Sequence, residues 1–183
     1  MNRSTLLLAS ALAVGVLASA RGVAVPLPPK VQASTLAQAP RPWVHQGKAQ
    51  SFCTSTANST GLAARLGWSG SLCVGLNNTR LIADGVPVHS LGIFFYGSQA
   101  AQIPTANGFL CVSPFHPGLL RIMPPVMANA NLQAELELDF GALPAAGAIT
   151  AGSTWFFQYW FRDPNAGGAA SNFSDGLRIT FCH

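Results

Sequence analysis

The sequence predicts an all-β fold, an antiparallel β-sandwich of jelly-roll type that is stapled by two disulfides. Short apolar or alternating segments recur between Gly, Pro and Asn residues, no segment has the period of an amphipathic helix, and the cysteine count is even. A closed β-barrel is the alternative arrangement of such strands. With 183 residues, 49% of them hydrophobic and 9% charged, the chain can bury a sizeable core.

The first twenty residues have the three parts of a signal peptide. Arg3 supplies a positive charge, residues 6–17 are apolar, and the small residues at 18–20 form a cleavage signal. This apolar run ends in Arg21 and is shorter than the stretch that a membrane anchor needs. We therefore expect export, with no transmembrane segment after cleavage.

Residues 21–51 differ in composition from the rest of the chain. Prolines among Ala, Gln, Ser and Thr predict an extended linker, followed by a folded domain over residues 52–183. From residue 52 onward, five Arg stand against six Asp and Glu, a balance of −1. Because binding to phosphate backbones depends on clustered cations, nucleic acid is excluded as a partner of the domain.

Strands are expected wherever apolar and polar residues alternate. The clearest case runs from Leu132 to Phe140, and the segment from Leu177 to Cys182 alternates in the same way. Six further short segments between turn residues are predicted to be strands: 52–55, 71–75, 80–83, 91–96, 109–113 and 119–123.

The four cysteines all lie in the predicted domain. In an exported chain an even number predicts two disulfides, and the long spacings argue against a zinc site. Four cysteines allow three pairings, among which the sequence does not decide. The pairing expected here is Cys53 with Cys182, which joins the first and last strands, and Cys73 with Cys111.

Six of the seventeen aromatic residues lie between Trp155 and Phe161, in a predicted central strand over residues 153–163. Its second face carries Phe156, Gln158, Trp160 and Arg162. In a two-layer sandwich only one face of a strand enters the core, so this second face is a candidate binding strip for sugar rings or a protein partner. The alternative is that loops or residues 21–48 cover it.

Oxygen ligands lie close to the end of this strand. Asp163 and Asp175 are candidate calcium ligands, with Asn165 and Asn172 nearby in the sequence. The spacing of an EF-hand is absent, however, and ordinary turn chemistry or pairing of Arg162 with either aspartate explains the same residues. No other cofactor is predicted.

The sequence contains no established catalytic motif. His89 and His116 are the histidines within the domain that remain as candidate bases. Glu135, Glu137 and Asp139 share one strand face, a spacing that suits glycoside hydrolysis but is also explained by polar-out alternation on a solvated face.

The aromatic strand carries a resemblance to a known group of domains. The run W-x-x-Q-x-W-x-R-D from Trp155 to Asp163, followed by N-x-S-D from Asn172 to Asp175, is similar to an uncharacterised β-rich domain of secreted proteins from planctomycete-like and myxobacterium-like bacteria. Three shorter matches, Cys53 with 58–61, then 92–97 and 108–112, precede these motifs and agree in order. Relatives tend to carry a Phe-Gly pair where residues 103–107 stand. The resemblance covers about residues 52–182 and implies an extracellular module without a known activity.

Together these features predict a secreted or cell-surface module that binds a carbohydrate or a protein and is not catalytic. Two alternatives remain at this stage. One is a small secreted hydrolase that acts through Glu135, Glu137 and Asp139, and the other is a structural component of the cell envelope.

Overall fold

A nine-residue aromatic strand lies inside the molecule and orders the strands around it. The computed structural model describes residues 47–115 and 118–183, and these ranges contain eleven strands and four short 3-10 helices. The strands are β1 Lys48–Phe52, β2 Arg65–Ser69, β3 Arg80–Asp84, β4 Leu91–Gly97, β5 Ala100–Thr105, β6 Gly108–Val112, β7 Leu120–Met127, β8 Gln133–Glu137, β9 Thr154–Arg162, β10 Ser171–Phe173 and β11 Gly176–Thr180. The 3-10 helices are Val74–Leu76, Phe140–Ala142, Ala145–Gly147 and Pro164–Ala166.

The central sheet has six strands. Five of them have the order β1-β11-β9-β4-β7. The sixth, β10, pairs with residues 160–162 of β9, whereas β11 pairs with residues 154–157. All of the pairs are antiparallel. β9 is bonded on both sides along its length. It has this position because its apolar residues exclude it from an edge, where one side of the strand would face solvent.

One face of the central sheet packs on a three-stranded sheet with the order β2-β3-β8. Phe157, Tyr159 and Phe161 point to this face and are fully buried, as are Phe94 and Tyr96 of β4. Full burial of such a side chain contributes about 1.5–3 kcal/mol. These two sheets form the predicted antiparallel sandwich.

The phenolic hydroxyls in this core are hydrogen-bonded. Tyr96 donates to the carbonyl of Gly147 over 2.9 Å, and Tyr159 donates to the carbonyl of Val126 over 2.8 Å. Burial raises the pKa of Tyr96 to about 12 and raises the pKa of Tyr159 as well. Both side chains therefore remain neutral donors: Tyr96 joins the central sheet to the 3-10 helix at Ala145–Gly147, and Tyr159 joins β9 to the edge strand β7 of the same sheet.

The opposite face of the central sheet is covered in part by a third layer, the hairpin of β5 and β6. Leu110 and Val112 of the hairpin pack with Phe95 and Phe173 in a second buried cluster. The physical reason for this layer is that β9 is apolar on both faces, so a two-layer sandwich leaves half of its side chains in water.

Several boundaries differ from those predicted by the sequence. β1 begins at Lys48, inside the segment assigned to the linker, and ends at Phe52, so 53–55 are not strand. The predicted strand at 71–75 is instead an irregular segment that leads into a 3-10 helix. Periodicity also missed β2, β5 and β10, which are short or contain Gly or Pro. The predicted signal peptide and residues 21–46 lie outside the described residues.

The disulfide pairing expected from the sequence is wrong. The bridges join Cys53 to Cys111 and Cys73 to Cys182. Cys53 follows β1 and faces the hairpin, so its nearest cysteine is the one in β6. Cys73 lies beside Cys182, and the amide of Val74 donates to the carbonyl of Cys182 over 2.9 Å. Each bridge therefore links two layers. The first and last strands do pair, as the expected bridge required, but they are antiparallel, with Phe52 opposite Gly176 and Lys48 opposite Thr180, so Cys53 and Cys182 lie beyond opposite ends of the pair.

A search for membrane-spanning helices found none of sufficient length and apolarity in residues 47–115 and 118–183.

Peptide mapping tests this pairing directly. Trypsin cleaves after Lys48, Arg65, Arg80, Arg121 and Arg178, which places each cysteine in a different peptide. Without reduction, we expect peptide 49–65 linked to 81–121 and peptide 66–80 linked to 179–183. Detection of 49–65 linked to 179–183 contradicts the structure. Replacing both cysteines of either pair with Ala should lower the free energy of unfolding by about 4–5 kcal/mol, because the bridges close loops of 58 and 109 residues.

Candidate functional site

Gln158, predicted to be part of a binding strip, is fully buried between two layers. Its Oε1 accepts from the Cys111 amide over 2.8 Å, and its Nε2 donates to the carbonyls of Phe109 and Ser174, each over 2.8 Å. The side chain thus joins β9 to the hairpin and to the loop after β10. It has no surface to offer a ligand.

Phe156 is half-buried and is covered on one side. Its ring meets that of Phe52 edge to face, with centroids 5.3 Å apart, and it packs against the buried cluster under the hairpin. The cover comes from β1 and from β5 and β6, which were not the segments that the sequence suggested. Half of the predicted strip therefore has a structural role.

Trp160 and Arg162 lie where the hairpin no longer covers β9. Trp160 is half-buried and Arg162 is exposed. Both side chains line two neighbouring concavities, which we call the polar cavity and the apolar groove. Of the four predicted strip residues, these two are the ones that line a concavity.

The polar cavity has a volume of about 550 Å³. It is bounded by residues 87–91, by Trp160 and Arg162, and by the two loop segments 163–165 and 169–171. Small-molecule sites in proteins measure about 300–1,000 Å³, so the cavity is large enough for a small ligand.

The apolar groove has a volume of about 610 Å³ and lies on the outer face of the central sheet. Thr105 and Leu110 of the hairpin border it on one side, and Arg121, Met123 and Pro125 of the edge strand β7 border it on the other. Met123 is 66% exposed. The groove exists because the two-stranded hairpin is narrower than the sheet that it covers.

Asp163 and Ser90 are the notable polar residues of the polar cavity. Asp163 is 1% exposed, and its Oδ2 accepts from the Ser59 amide over 2.8 Å, whereas its Oδ1 has no partner. Ser90 is 9% exposed, and its Oγ has none either. Within residues 47–115 and 118–183 these are the two buried side-chain polar atoms without a hydrogen bond. Both residues contribute to the lining of this cavity, but the two atoms themselves are buried behind its surface.

The turn that carries Ser90 has an unusual backbone. His89, which also lines the cavity, has a φ of 61°, in the left-handed region that non-glycine residues rarely adopt. Its amide donates to the carbonyl of Ala128 over 3.0 Å, and the amide of Ala128 donates back to the carbonyl of Ser90 over 3.0 Å. These two bonds hold the turn in the conformation that points it toward the cavity rim. Local strain of this kind is frequent at binding sites.

A serine, a histidine and an aspartate thus share the polar cavity, but they do not form a catalytic relay. Nucleophilic catalysis needs a hydrogen bond from the hydroxyl to the imidazole and from the imidazole to the carboxylate. Neither the Ser90 hydroxyl nor the Oδ1 of Asp163 makes any hydrogen bond with the described residues. The other candidate base, His116, lies outside the described residues.

The structure does not bring Asp163 and Asp175 together. Ser171 lies opposite Arg162 and Phe173 opposite Trp160, so the two aspartates lie beyond opposite ends of the β9–β10 pair. The Oδ1 of Asp175 accepts from the Leu66 amide over 2.6 Å. No group of three or more His, Cys, Asp or Glu suited to a metal ion occurs in the described part of the chain. A calcium site that uses both carboxylates, as the sequence analysis suggested, is therefore not formed by these two residues.

Glu135, Glu137 and Asp139 interact with neighbours on the solvent face of the three-stranded sheet. The Arg80 guanidinium contacts Glu135 over 3.2 Å and Glu137 over 2.5 Å, and these partners raise the pKa of Arg80. Asp139 accepts from the Gly141 amide over 3.0 Å and begins a 3-10 helix. None of the three carboxylates lines the polar cavity or the apolar groove.

Sequence reasoning missed Ser90 and the turn before it. The segment 87–90 carries no sequence motif. It becomes part of the candidate site only because the fold places it and Asp163 around the same cavity. Comparison of the chain with models of protein families, with curated proteins and with solved structures found no match in any of the three. The resemblance to β-rich domains of secreted bacterial proteins accordingly stays a prediction, and the site is assessed on its chemistry.

Removing the amide of Gln158 tests its role between the layers. Gln158→Leu removes the side-chain partner of two buried backbone groups and of the partly buried Phe109 carbonyl, so we expect the free energy of unfolding to fall by about 3 kcal/mol or more. Gln50→Leu on the exposed edge strand β1 is the matched control and should change it by less than about 0.5 kcal/mol. Urea unfolding measures both. Equal effects in the two variants contradict the structural role.

Asp175 makes stability depend on pH. Burial raises the pKa of its carboxyl above the ordinary 3.8, while the Leu66 amide and the Arg65 charge oppose that shift. A raised folded-state pKa favours the protonated form, so its contribution to stability is complete below 3.8 and is lost as the pH rises through the folded value. Asp175→Asn retains an acceptor for Leu66 and does not ionise.

We therefore expect Asp175→Asn to gain stability relative to the wild type between acidic and neutral pH. Asp84→Asn on an exposed strand end is the control and should show little such gain. Urea unfolding below pH 3.8 and at neutral pH measures the difference. A constant difference for Asp175→Asn at all pH values is the contradictory result.

Proposed function

We propose that this protein is a secreted or cell-surface binding module that is not catalytic, and that its ligand contacts Trp160 and Arg162. The observation that carries the proposal is that these two side chains border both the polar cavity and the apolar groove. A ligand seated in either concavity therefore touches them.

Trp160 has the properties of a binding anchor. It packs against the buried cluster of Phe95, Leu110, Val112 and Phe173, which restricts the ring while one part of it stays accessible. An aromatic side chain that is already ordered gives a large contact area with little further loss of conformational entropy. Such residues dominate the energetics of many interfaces.

Arg162 supplies hydrogen-bond donors at the same place. Its side chain is exposed, and in the described ranges the ion pairs between side chains are those of Arg80 rather than Arg162. Its guanidinium donors are therefore available to a ligand beside the tryptophan ring. A carbohydrate or an extracellular protein segment fits this combination of a flat apolar surface and a planar donor.

Two further features support an exported location. Both disulfides are structural and favour an oxidising compartment, since such bridges are rare in the cytosol. The predicted signal peptide agrees with export.

Replacing Trp160 tests the proposal. The exported chain should bind members of a glycan array or of a parallel array of extracellular proteins, and Trp160→Ala should lose at least about 2 kcal/mol of that binding. Trp68→Ala is the matched control, because Trp68 is 41% exposed on the opposite layer. Binding that survives Trp160→Ala, or is lost equally in Trp68→Ala, contradicts the proposal, as does a wild type that binds nothing on either array.

A further inference from the structure

The apolar groove has several exposed hydrophobic side chains around one concavity. Leu91, Leu119 and Met123 belong to its lining and are exposed, Met123 to 66%. Single exposed apolar side chains are ordinary, but several around one concavity indicate a site of interaction. A methionine side chain is unbranched and adapts its shape to a partner. The groove is therefore a candidate docking surface.

The floor of the groove is already ordered. Phe95, Leu110 and Phe173 contribute to the lining, and all three are buried because they pack together under the hairpin. A partner thus meets a preformed apolar surface, which limits the entropy that binding costs. The groove is concave, so it receives a side chain that protrudes from a partner. The surface of a bilayer fits it less well, because proteins bind a bilayer by inserting apolar side chains that protrude from their own surface.

Two arginines stand at the rim of the groove. Leu120 and Ile122 of β7 pack with the sandwich core, so Arg121 between them points to the outer face of the sheet. Phe161 is fully buried in the same core, which places Arg162 on the outer face of β9. Both arginines are exposed. A partner in the groove therefore has access to two guanidinium groups.

The groove has cations but no anion to balance them. Among the described residues that line it, none carries a carboxylate. Asp163 follows Arg162 in the chain, but it is buried and the Ser59 amide binds its Oδ2. The ion pairs of the described residues are those of Arg80 on another sheet. Because a guanidinium only donates hydrogen bonds, charge complementarity favours a partner with acidic side chains.

The strand register sets the separation of the two arginines. Arg121 lies opposite Phe95 of β4, and the β4–β9 register continues to place Arg162 opposite Leu91. The arginines thus lie on strands at either side of β4 and four residues apart along it. With about 3.3 Å per residue and about 4.8 Å between strands, their Cα atoms are about 16 Å apart. An extended chain covers that distance in about five residues.

We propose that the apolar groove binds an extended acidic segment of an extracellular protein. Two acidic residues of the segment, four positions apart, contact Arg121 and Arg162, and the apolar residue midway between them enters the groove. These three side chains share one face of an extended segment, because side chains two positions apart point the same way. The inference rests on the proposed function, since Trp160 and Arg162 border the groove, and it adds the chemistry of the partner and the residues Arg121 and Met123.

The test uses the exported full chain and synthetic heptapeptides with blocked ends. Each peptide has Glu at its second and sixth positions, Phe or Leu at its fourth, and Ser or Thr elsewhere. Three comparison sets replace both Glu by Gln, place the two Glu side by side, or replace the apolar residue by Ser. Tryptophan fluorescence and saturation-transfer NMR give the dissociation constants at low and at high salt.

We expect at least one of the acidic heptapeptides to bind the wild type. Each comparison peptide should bind at least about fivefold more weakly, because it lacks the charges, their spacing or the apolar anchor. High salt should weaken binding of the acidic peptide, since exposed charges are screened. These comparisons are made on the unaltered protein and do not depend on the folding of a variant.

Arg121→Gln and Met123→Ala test whether the peptide lies in the groove. The first removes a cation and the second an exposed apolar side chain, so each should weaken binding at least about threefold. Arg178→Gln is the control for the first, because Arg178 is exposed on the same sheet and does not line the groove. Leu76→Ala is the control for the second, because Leu76 is 63% exposed and lies outside the groove. Circular dichroism and thermal unfolding verify that all four variants fold.

The inference is overturned if no acidic heptapeptide binds, if the Gln peptides or those with adjacent Glu bind as tightly, or if both groove variants bind like their controls. Vesicles of phosphatidylglycerol and phosphatidylcholine provide a further test. Binding to these vesicles that Arg121→Gln abolishes, without binding of any peptide, overturns the inference in favour of a membrane surface. In each case, loss of array binding in Trp160→Ala still upholds the proposed function, so the two failures are distinguishable.

Discussion

The need to bury β9 on both faces governs the architecture of this protein. One face contributes large aromatic rings to the sandwich core, and the other carries Phe156, Gln158 and Trp160. Two layers cannot remove both faces from water, and the β5–β6 hairpin supplies the third. Gln158 is the polar exception on the second face, and its amide is tolerated there because all of its hydrogen bonds are made by the hairpin and the neighbouring loop.

The disulfides act on the same arrangement from the ends of the sheets. Cys53–Cys111 attaches the hairpin to the central sheet beside β1, and Cys73–Cys182 attaches the β2–β3 connection beside the end of β11. Each bridge therefore limits how far one outer layer can separate from the central layer. Because the chain has few charged side chains, it has few ion pairs that could hold the layers together. Among the described residues, the ion pairs are those of Arg80 with Glu135 and Glu137.

The candidate site follows from the limited size of the hairpin. Where the third layer ends, Trp160 and Arg162 emerge from the covered part of β9 and meet the strained turn at His89 and the buried carboxylate of Asp163. The same outer face is therefore structural at Gln158 and accessible two residues later. Because the cover ends along this one strand, the central sheet has a polar cavity and an apolar groove at the margin of its outer face.

The sequence by itself determined the strand character, the number of disulfides and the central position of β9, because alternation, cysteine count and aromatic content are local properties of the chain. It also predicted Trp160 and Arg162 as part of a binding strip and Asp163 as a calcium ligand, and these assignments stay predictions. Only the tertiary structure decided the pairing of the cysteines, the burial of Gln158 and the separation of Asp163 from Asp175. These depend on which segments meet across layers, and contacts between residues distant in the chain leave no periodic signal in the sequence.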